Sequence, residues 1–219
     1  KIEYSFKHFI IAGEELPPKL ARKFLGLFNK NCQPNLTNAY GPTETTVDST
    51  CYHVQHDKLE LMNQLPIGRP LANQKVYIMG DNQQLQPVGI PGELCISGEG
   101  LARGYLNQPK LTMDKFVPIQ ITKTGSSIID DKVYRTGDLA RWLPDGNLEY
   151  LGRMDDQVKI RGLRIELGEI EKQLLRYPEI GEAIVITRKK EGEDAPVLCA
   201  YVVMNSSAKV EEVRQFLRE

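Results

Sequence analysis

Apolar residues in the first part of the chain predict a strand, a helix and a second strand. Phe9–Ile11 is a short apolar run that ends close to Gly13, which predicts a buried strand. The Pro17-Pro18 pair is suited to the first turn of a helix. Apolar residues at helical spacing follow at Leu20, Phe24, Leu27 and Phe28. Leu36 then leads a second strand into a turn at Gly41-Pro42.

From about Ile67 to Leu151 short apolar runs alternate with turn signals. Runs such as Val76–Ile78 and Leu94–Ile96 are each followed by turn-forming residues. Pro144–Asn147 (Pro-Asp-Gly-Asn) favours a tight turn between two further runs. Many short strands at this spacing predict a barrel or a strongly bent sheet. Residues 118–131 are polar and irregular, which predicts an exposed loop.

From Met154 onward the pattern predicts the first part of a small α+β domain. Val158 and Ile160 alternate with charged residues, as in a half-exposed strand. Residues 166–176 place apolar side chains on one helical face, with acidic residues in the first turns, where the helix dipole favours them. Residues 210–219 begin another helix. Two continuous apolar runs predict buried strands, at Ala183–Ile186 and Val197–Val203.

Charge and composition exclude several classes of function. The 219 residues carry a formal net charge of −1, so no excess of basic residues indicates a nucleic acid or a membrane surface as a partner. No apolar run approaches the roughly 20 residues that span a bilayer. The chain opens on the polar stretch Lys1–Ser5, without the apolar region of a signal peptide. We therefore expect a cytoplasmic protein.

The cysteines and histidines show no metal-binding spacing. Four cysteines are spread along the chain, at Cys32, Cys51, Cys95 and Cys199. We interpret them as reduced thiols of a cytosolic protein. His53 and His56 could face one metal ion, but no third ligand is near them in the sequence, so two surface imidazoles are the favoured interpretation.

Four separated segments together carry a family resemblance. They are Asn38–Glu44 (Asn-Ala-Tyr-Gly-Pro-Thr-Glu), Gly92–Tyr105, Tyr134–Leu139 with its Thr-Gly-Asp turn, and Gly152–Glu171 with a Gln-Val-Lys-Ile-Arg-Gly core. In this order and spacing they resemble the adenylation domains of nonribosomal peptide synthetases, members of the superfamily that also contains acyl-CoA synthetases and luciferase. The resemblance covers essentially the whole chain, and the core of the fourth segment resembles the peptide-synthetase branch.

The resemblance implies an α/β fold (α+β overall) in two parts. Residues 1–153 would form the C-terminal part of the large adenylate-forming domain, with a distorted β-barrel subdomain at about 67–151. Residues 154–219 would contain the hinge and the first part of the small C-terminal subdomain. Asp155 matches the family's hinge, where the small subdomain rotates between the adenylation and thioester-forming states.

The family forms aminoacyl-AMP from ATP and an amino acid and loads it as a thioester on the phosphopantetheine of a carrier protein. The resemblance therefore implies an AMP-forming ligase of antibiotic biosynthesis that uses ATP and magnesium. A peptidyl carrier protein and neighbouring synthetase domains would be its partners. Two alternatives stay open: an aryl- or acyl-acid ligase of the same superfamily, and a non-catalytic module that keeps the fold.

Three elements of the family do not occur in these residues. A Ser/Thr/Gly-rich phosphate loop and an Asp that grips the substrate amino group would precede Lys1. A lysine that stabilises the transferring charge would follow Glu219. We therefore expect a fragment whose 219 residues alone are inactive, because transition-state electrostatics usually supply the largest part of catalysis.

The residue types of the four segments suit a nucleotide and a metal ion. A carboxylate can accept hydrogen bonds from both ribose hydroxyls, at about 1.5–3 kcal/mol each, and the resemblance assigns this role to Asp138. It also implies that Tyr40 stacks on adenine, that Asn38 contacts the adenine amino group, and that Glu44 helps to hold magnesium, a cation that prefers oxygen ligands. The remaining residues implied to contact or pack beside the nucleotide are Gly41, Thr43, Tyr150 and Arg153. Local sequence alone also allows ordinary turn or surface residues at these positions.

Matching the family's substrate-pocket positions residue by residue gives Ile10, Ala12, Gly13, Ala39, Val47 and Asp48. The apolar and small members leave room for an aromatic or long side chain. A carboxylate in such a pocket is costly unless it is paired, so Asp48 indicates an amino acid with a second amine, such as ornithine or diaminobutyrate. A phenylalanine-like substrate, with Asp48 turned toward solvent or the backbone amino group, is one alternative. Asp48 as a surface residue outside the pocket is the other.

Overall fold

The computed structural model describes residues 6–29, 33–122, 128–160, 162–188, 197–205 and 210–218. The chain divides into two compact units, Lys1–Met154 and Asp155–Glu219. The helices of the first unit are α1 (Pro18–Leu25) and α2 (Pro109–Lys115). Its strands are β1 (His8–Ile11), β2 (Asn35–Tyr40), β3 (Thr50–His53), β4 (Arg69–Pro70), β5 (Gln74–Met79), β6 (Gly92–Gly98), β7 (Phe116–Thr122), β8 (Ile128–Trp142) and β9 (Leu148–Arg153).

The first sheet has the strand order β1-β2-β3-β4, with β1 and β2 parallel and the other pairs antiparallel. The predicted succession of strand, helix and strand is confirmed, and α1 begins directly after Pro17. The predicted burial is partly wrong. Ile10 is 67% exposed, because β1 turns only its neighbours Phe9 and Ile11 toward the core beneath. The buried face of α1 is formed by Pro18, Ala21 and Leu25 rather than by Leu20.

The second sheet is antiparallel, with the strand order β5-β6-β8-β7 and with β9 also paired to β8. The two sides of this sheet pack against different clusters. We call one side the Tyr40 face; its buried residues are Ile67, Val76, Ile78, Leu94, Ile96, Ala140 and Leu148, with Tyr40, Trp142 and Tyr150 beside them. The other is the Cys95 face; its buried residues are Tyr77, Met79, Cys95, Ile119 and Val133. The predicted series of short strands is confirmed, and closure into a barrel stays a prediction.

The predicted exposed loop at residues 118–131 is wrong. β7 continues to Thr122 and β8 begins at Ile128, so most of this range lies in an antiparallel pair. Its polar residues had hidden the strands, because polar side chains on a strand can be paired across the sheet. Asp131, for example, accepts hydrogen bonds from Ser97 at 2.7 Å, Lys75 at 2.9 Å and Tyr77 at 3.1 Å. These bonds lower the pKa of Asp131 despite the opposing effect of burial.

The second unit packs two helices on short antiparallel pairs. Its elements are β10 (Gln157–Ile160), β11 (Leu163–Glu166), α3 (Leu167–Leu174), β12 (Ile180–Arg188), β13 (Val197–Met204) and α4 (Val210–Phe216). The predicted half-exposed strand is β10, and it ends before Gly162, where φ is +75°. The sequence pattern missed β11, a strand of only four residues in which Arg164 and Glu166 alternate with Leu163 and Ile165.

The two strands predicted at Ala183–Ile186 and Val197–Val203 are confirmed as parts of β12 and β13, but their predicted burial is wrong. They form a two-stranded antiparallel sheet, and alternate residues of β12 such as Val185 lie in the core with Leu174 of α3. Ile184 and Val203 are 56% and 55% exposed. A strand pair covered on one side leaves its other side in solvent even when both sides are apolar, so the continuous apolar runs did not report burial.

The sequence predicts no membrane-spanning segment, no metal site formed by its histidines or cysteines, and reduced cysteines. No helix in the described ranges has both the length and the apolar character needed to cross a bilayer. Three of the four cysteines, Cys51, Cys95 and Cys199, are free thiols, and Cys32 lies outside the described residues. No metal-ligand cluster occurs in the part of the chain that is described. The ring of His53 is hydrogen-bonded to Thr37, and that of His56 to a side chain at position 33.

Candidate active site

Asp138 lies in a bulge of β8 at the centre of the second sheet. Thr136, Gly137 and Asp138 together oppose one residue of β6, Leu94. Bulges of this kind re-aim side chains and are common beside active sites. The Thr136 hydroxyl donates to the carbonyl of Leu94 at 2.7 Å and accepts from the amide of Asp138 at 2.9 Å. Gly137 has a φ of +73°, a conformation that glycine adopts without steric cost.

The carboxylate of Asp138 is buried, with 6% of the residue exposed, and both of its oxygens accept hydrogen bonds. Oδ2 accepts a short bond from the Tyr40 hydroxyl, and Oδ1 accepts from Nη1 of Arg153 at 2.9 Å. Arg153 is the residue of β9 directly opposite Asp138. Burial, and next the charge of Asp138, raise the pKa of Tyr40 well above its usual value. Tyr40 is therefore a permanent hydrogen-bond donor, and the carboxylate has one fixed orientation.

An aromatic wall stands beside this carboxylate. The rings of Tyr40 and Tyr150 have centroids 6.2 Å apart and are tilted by 38°, and both pack on the Tyr40 face. Asn38 is buried two residues before Tyr40, and its amide nitrogen donates to the carbonyl of Pro66 at 2.8 Å. This bond orients the Asn38 side chain, with its amide nitrogen toward Pro66. The structure thus places four predicted nucleotide residues, Tyr40, Asp138, Tyr150 and Arg153, together.

Glu44 lies in a short 3-10 helix, Thr43–Thr45, that follows β2. Its carboxylate is buried, and Oε1 accepts a hydrogen bond from the hydroxyl of Tyr105 at 2.6 Å. The carbonyl of Glu44 accepts from the amide of Ala102 at 2.8 Å. Burial, followed by the bond to Glu44, raises the pKa of Tyr105, so this hydroxyl stays a donor. A carboxylate held in this way is the type of oxygen ligand that magnesium prefers, so Glu44 fits the ion.

The predicted substrate-pocket residues lie around the end of β2, and most of them are exposed. Ala39 is buried, whereas Ala12 and Gly13 are exposed, and Ile10 and Val47 are 67% and 68% exposed. Oδ1 of Asp48 is buried and has no hydrogen-bond partner among the described residues.

The backbone beside Asp48 is strained. Thr46 and Val47 have φ values of +62° and +67°, which are rare for branched residues. The amide of Asp48 donates to the carbonyl of Thr46 at 2.9 Å. Gly41 packs against this turn, since a Cβ at Gly41 would lie 2.4 Å from the carbonyl oxygen of Val47. Glycine at position 41 therefore lets this strained turn approach β2. Its contact with the nucleotide stays a prediction.

Sequence reasoning missed the polar residues that support the site from behind. Glu93 of β6 accepts hydrogen bonds on Oε2 from Nε and Nη2 of Arg135, at 2.8 and 2.6 Å, and on Oε1 from the amide of Gly137, at 3.1 Å. Tyr105 was missed in the same way. The available signal was position: Glu93 is the one charged residue in an otherwise buried run, β6. A charged residue in such a run is seldom buried unless it is paired.

A cavity of about 400 Å³ lies on the Cys95 face of the first unit. Its lining includes Met79, Cys95 and Val133 and excludes Tyr40, Asp138 and Arg153. Burial raises the pKa of the Cys95 thiol to about 12, so this thiol stays protonated and unreactive near neutral pH. The cavity is therefore separate from the predicted nucleotide residues Tyr40, Asp138 and Arg153.

The chain is similar to proteins of known class. The family described as AMP-binding enzyme matches residues 2–106. Bacitracin synthase 1 of Bacillus licheniformis is 47% identical over 99% of this chain, which corresponds to 4% of that synthase. The structure of PA1221, an NRPS protein containing adenylation and PCP domains, has a TM-score of 0.77 and 30% identity over 94% of this chain and 40% of that one. The Vibrio cholerae adenylation domain AlmE, in complex with glycyl-adenosine-5'-phosphate, has a TM-score of 0.78 and 29% identity over 97% of this chain and 38% of that one.

Proposed function

We propose that the chain belongs to the AMP-binding enzyme family, whose model matches residues 2–106, and that it is part of a domain that activates an amino acid with ATP. Its α/β fold is that of adenylation domains. A carboxylate oxygen of the amino acid attacks the α-phosphorus of ATP, which forms aminoacyl-AMP and releases pyrophosphate. The thiol of a carrier protein's phosphopantetheine then attacks the aminoacyl carbonyl, and AMP leaves. The similarity to a peptide-antibiotic synthase and to a protein with adenylation and PCP domains supports both steps.

The observation that carries the proposal is the buried Asp138 carboxylate held between Tyr40 and Arg153. Each carboxylate oxygen has a second lone pair, so Asp138 can accept the two ribose hydroxyls while it keeps its protein partners. The rings of Tyr40 and Tyr150 give a purine an apolar surface beside that carboxylate. Because the orientation of Asp138 is fixed before the nucleotide binds, little ordering cost falls on binding.

Phosphate handling is assigned to the short helix that follows β2. Glu44, with Tyr105 fixing one of its oxygens, would hold magnesium, and Thr43 would offer its hydroxyl to a phosphate oxygen. Bound magnesium would supply positive charge beside the triphosphate. Arg153 would bring a guanidinium to the ribose and α-phosphate side, where it already contacts Asp138. Asp155, two residues further on, would be the hinge.

The substrate class we propose is an amino acid with a second amine. The buried Oδ1 of Asp48 lacks a hydrogen-bond partner among the described residues, and an unpaired buried acceptor costs about 1–3 kcal/mol. A substrate ammonium would remove that cost.

The test is amino-acid-dependent exchange of pyrophosphate into ATP by the intact protein that contains these residues. The panel comprises ornithine, diaminobutyrate, lysine, phenylalanine, leucine and benzoic acid. We expect exchange with amino acids and the fastest exchange with a diamine. Exchange with benzoic acid alone would identify an aryl-acid ligase. AMP binding without exchange for any acid would identify a non-catalytic module.

A further inference from the structure

We propose that Glu93 is a positioning residue of the nucleotide site, which holds the Thr136–Asp138 bulge so that Asp138 faces Tyr40 and Arg153. The inference deepens the proposed function, since it rests on Asp138 binding the nucleotide. Glu93 lies on β6 among buried apolar residues, and none of its hydrogen bonds reaches a residue assigned to the nucleotide. Its influence would therefore pass through the backbone of β8.

The bulge needs a hydrogen-bond partner that the sheet does not provide. Three residues of β8 face a single residue of β6, so the regular ladder cannot satisfy all their backbone groups. The amide of Asp138 uses the Thr136 hydroxyl, and the carbonyl of Gly137 accepts from the amide of Met154 at 2.8 Å. The amide of Gly137 uses Oε1 of Glu93. A side chain of β6 thus replaces the missing strand partner.

The second oxygen of Glu93 explains why a carboxylate can lie there. Oε2 accepts both Nε and Nη2 of Arg135, and the Glu93 side chain is 9% exposed. A buried carboxylate is costly unless it is paired in good geometry. The hydrogen bond from Arg135 to Glu93 also raises the pKa of the Arg135 guanidinium. The pair anchors Glu93 on one side and leaves Oε1 directed at Gly137.

Glu93 lies on a different side of the second sheet from the two tyrosines predicted to lie beside the nucleotide. Glu93 and Arg135 line the cavity of the Cys95 face, whereas Tyr40 and Tyr150 pack on the Tyr40 face. Gly137 directly precedes Asp138 in the sequence. Its φ of +73° is the conformation that the hydrogen bond to Glu93 stabilises. If the bond is lost, the bulge can relax toward other conformations, and Asp138 spends less time facing Tyr40 and Arg153.

The test measures AMP affinity by titration calorimetry in the intact protein. Glu93→Gln should weaken AMP binding about tenfold, because its amide cannot satisfy both Arg135 and Gly137. The matched control is Glu149→Gln, which breaks an ion pair of equal length, Arg141–Glu149 at 2.6 Å, between β8 and β9. It should leave AMP affinity within about twofold. Thermal unfolding of both variants separates a general loss of stability from a local effect.

A double-mutant cycle with Asp138→Asn identifies the route of the effect. If Glu93 acts through Asp138, Glu93→Gln should cause no further loss of AMP affinity in the Asp138→Asn background. Losses that multiply would overturn the proposal, as would unchanged affinity in Glu93→Gln alone. Unchanged affinity in Asp138→Asn would instead refute the nucleotide role of Asp138, and with it the premise. If Glu93→Gln does not fold, Glu93→Asp replaces it, because it keeps the charge beside Arg135 but is one methylene too short for Gly137.

Discussion

The two halves of the candidate site are built in opposite ways. The nucleotide half is a connected network in which both oxygens of Asp138 are bonded to protein and Glu44 is fixed by Tyr105. The amino-acid half has exposed apolar residues, Ile10 and Val47, and a buried Asp48 oxygen without a partner among the described residues.

The difference indicates which half of the candidate site would recognise the nucleotide and which would select the acid. In the nucleotide half, the carboxylates are hydrogen-bonded within the protein before the ligand binds, so the site accepts one ligand shape. This suits a ligand that is always the same nucleotide. A half that leaves a polar atom unsatisfied discriminates by what pairs with it, since a ligand lacking the partner leaves the cost in place. Substitutions in the first half should therefore change nucleotide use, and those in the second half the choice of acid.

The largest effect is expected for Asp138→Ala. It removes the acceptor of the ribose hydroxyls, so kcat/KM for ATP should fall by about 2–4 kcal/mol in transition-state terms. The free energy of unfolding should also fall by about 1–3 kcal/mol, since Tyr40 and Arg153 lose their acceptor. Steady-state kinetics and chemical denaturation measure the two effects.

The control for Asp138→Ala is Asp145→Ala, which alters a turn carboxylate of the same β8–β9 hairpin. It should leave ATP kinetics unchanged. Unchanged ATP kinetics in Asp138→Ala itself would show that the network is structural and that the comparison of the two halves is wrong.

The next effect concerns the metal end of the network. Tyr105→Phe removes the hydroxyl bonded to Glu44 and keeps the ring contact with Phe116, whose centroid is 5.6 Å away. A hydrogen bond to a charged group contributes about 1.5–3 kcal/mol, so the affinity for Mn²⁺, measured by electron paramagnetic resonance in the presence of ATP, should fall about tenfold or more.

Tyr134→Phe is the comparison variant, because its hydroxyl lies 3.4 Å from that of Tyr105. We expect a smaller loss of Mn²⁺ affinity there. Equal losses in both variants would mean that the contact between the two hydroxyls, not the bond to Glu44, matters.

The substitution Asp48→Asn examines the unsatisfied half. Removing the charge should lower kcat/KM for diamines by about 1–2 kcal/mol and leave neutral amino acids and the KM for ATP unchanged. The readout is the exchange panel with ATP titrated separately. If the wild type prefers a neutral aromatic acid and the substitution leaves the profile as it was, the diamine proposal is wrong.

The smallest effect is expected for Val47→Gly. Glycine removes the strain of a branched residue at a φ of +67°, about 1–3 kcal/mol, but loses about 0.5–1 kcal/mol of chain entropy. The free energy of unfolding should rise by about 1 kcal/mol or less. Val88→Gly, at an exposed turn without positive φ, should lower it. A fall in both variants would show that Val47 is not strained.

The sequence predicted elements well where apolar periodicity was matched by a packed face. β2, β5, β6 and α3 lie where the pattern placed them. Burial was predicted less well, because an apolar run does not say which of its sides is covered: β1 and β13 both expose apolar residues. β7 was missed because polar residues follow it and interrupt the apolar pattern.

The nucleotide residues were assigned by resemblance, and the structure places Tyr40, Asp138 and Arg153 in contact although they are far apart in sequence. Their supports could not be assigned in this way. Glu93 and Tyr105 act through a bulge and through a carboxylate, and such contacts depend on register. A one-residue change in strand register would move every side chain to the other face.

The length of β8 and its pairing with three other strands affect which parts of the second sheet open locally to solvent. This 15-residue strand pairs with β7 over its first half, with β6 over its middle and with β9 over its end. Tyr134, Leu139 and Ala140 pair with strands on both sides, whereas the bulge between them pairs less completely. The amides of these three residues should exchange with deuterium more slowly than those of residues paired on one side. Asp138 therefore lies directly beside a part of the sheet that opens rarely.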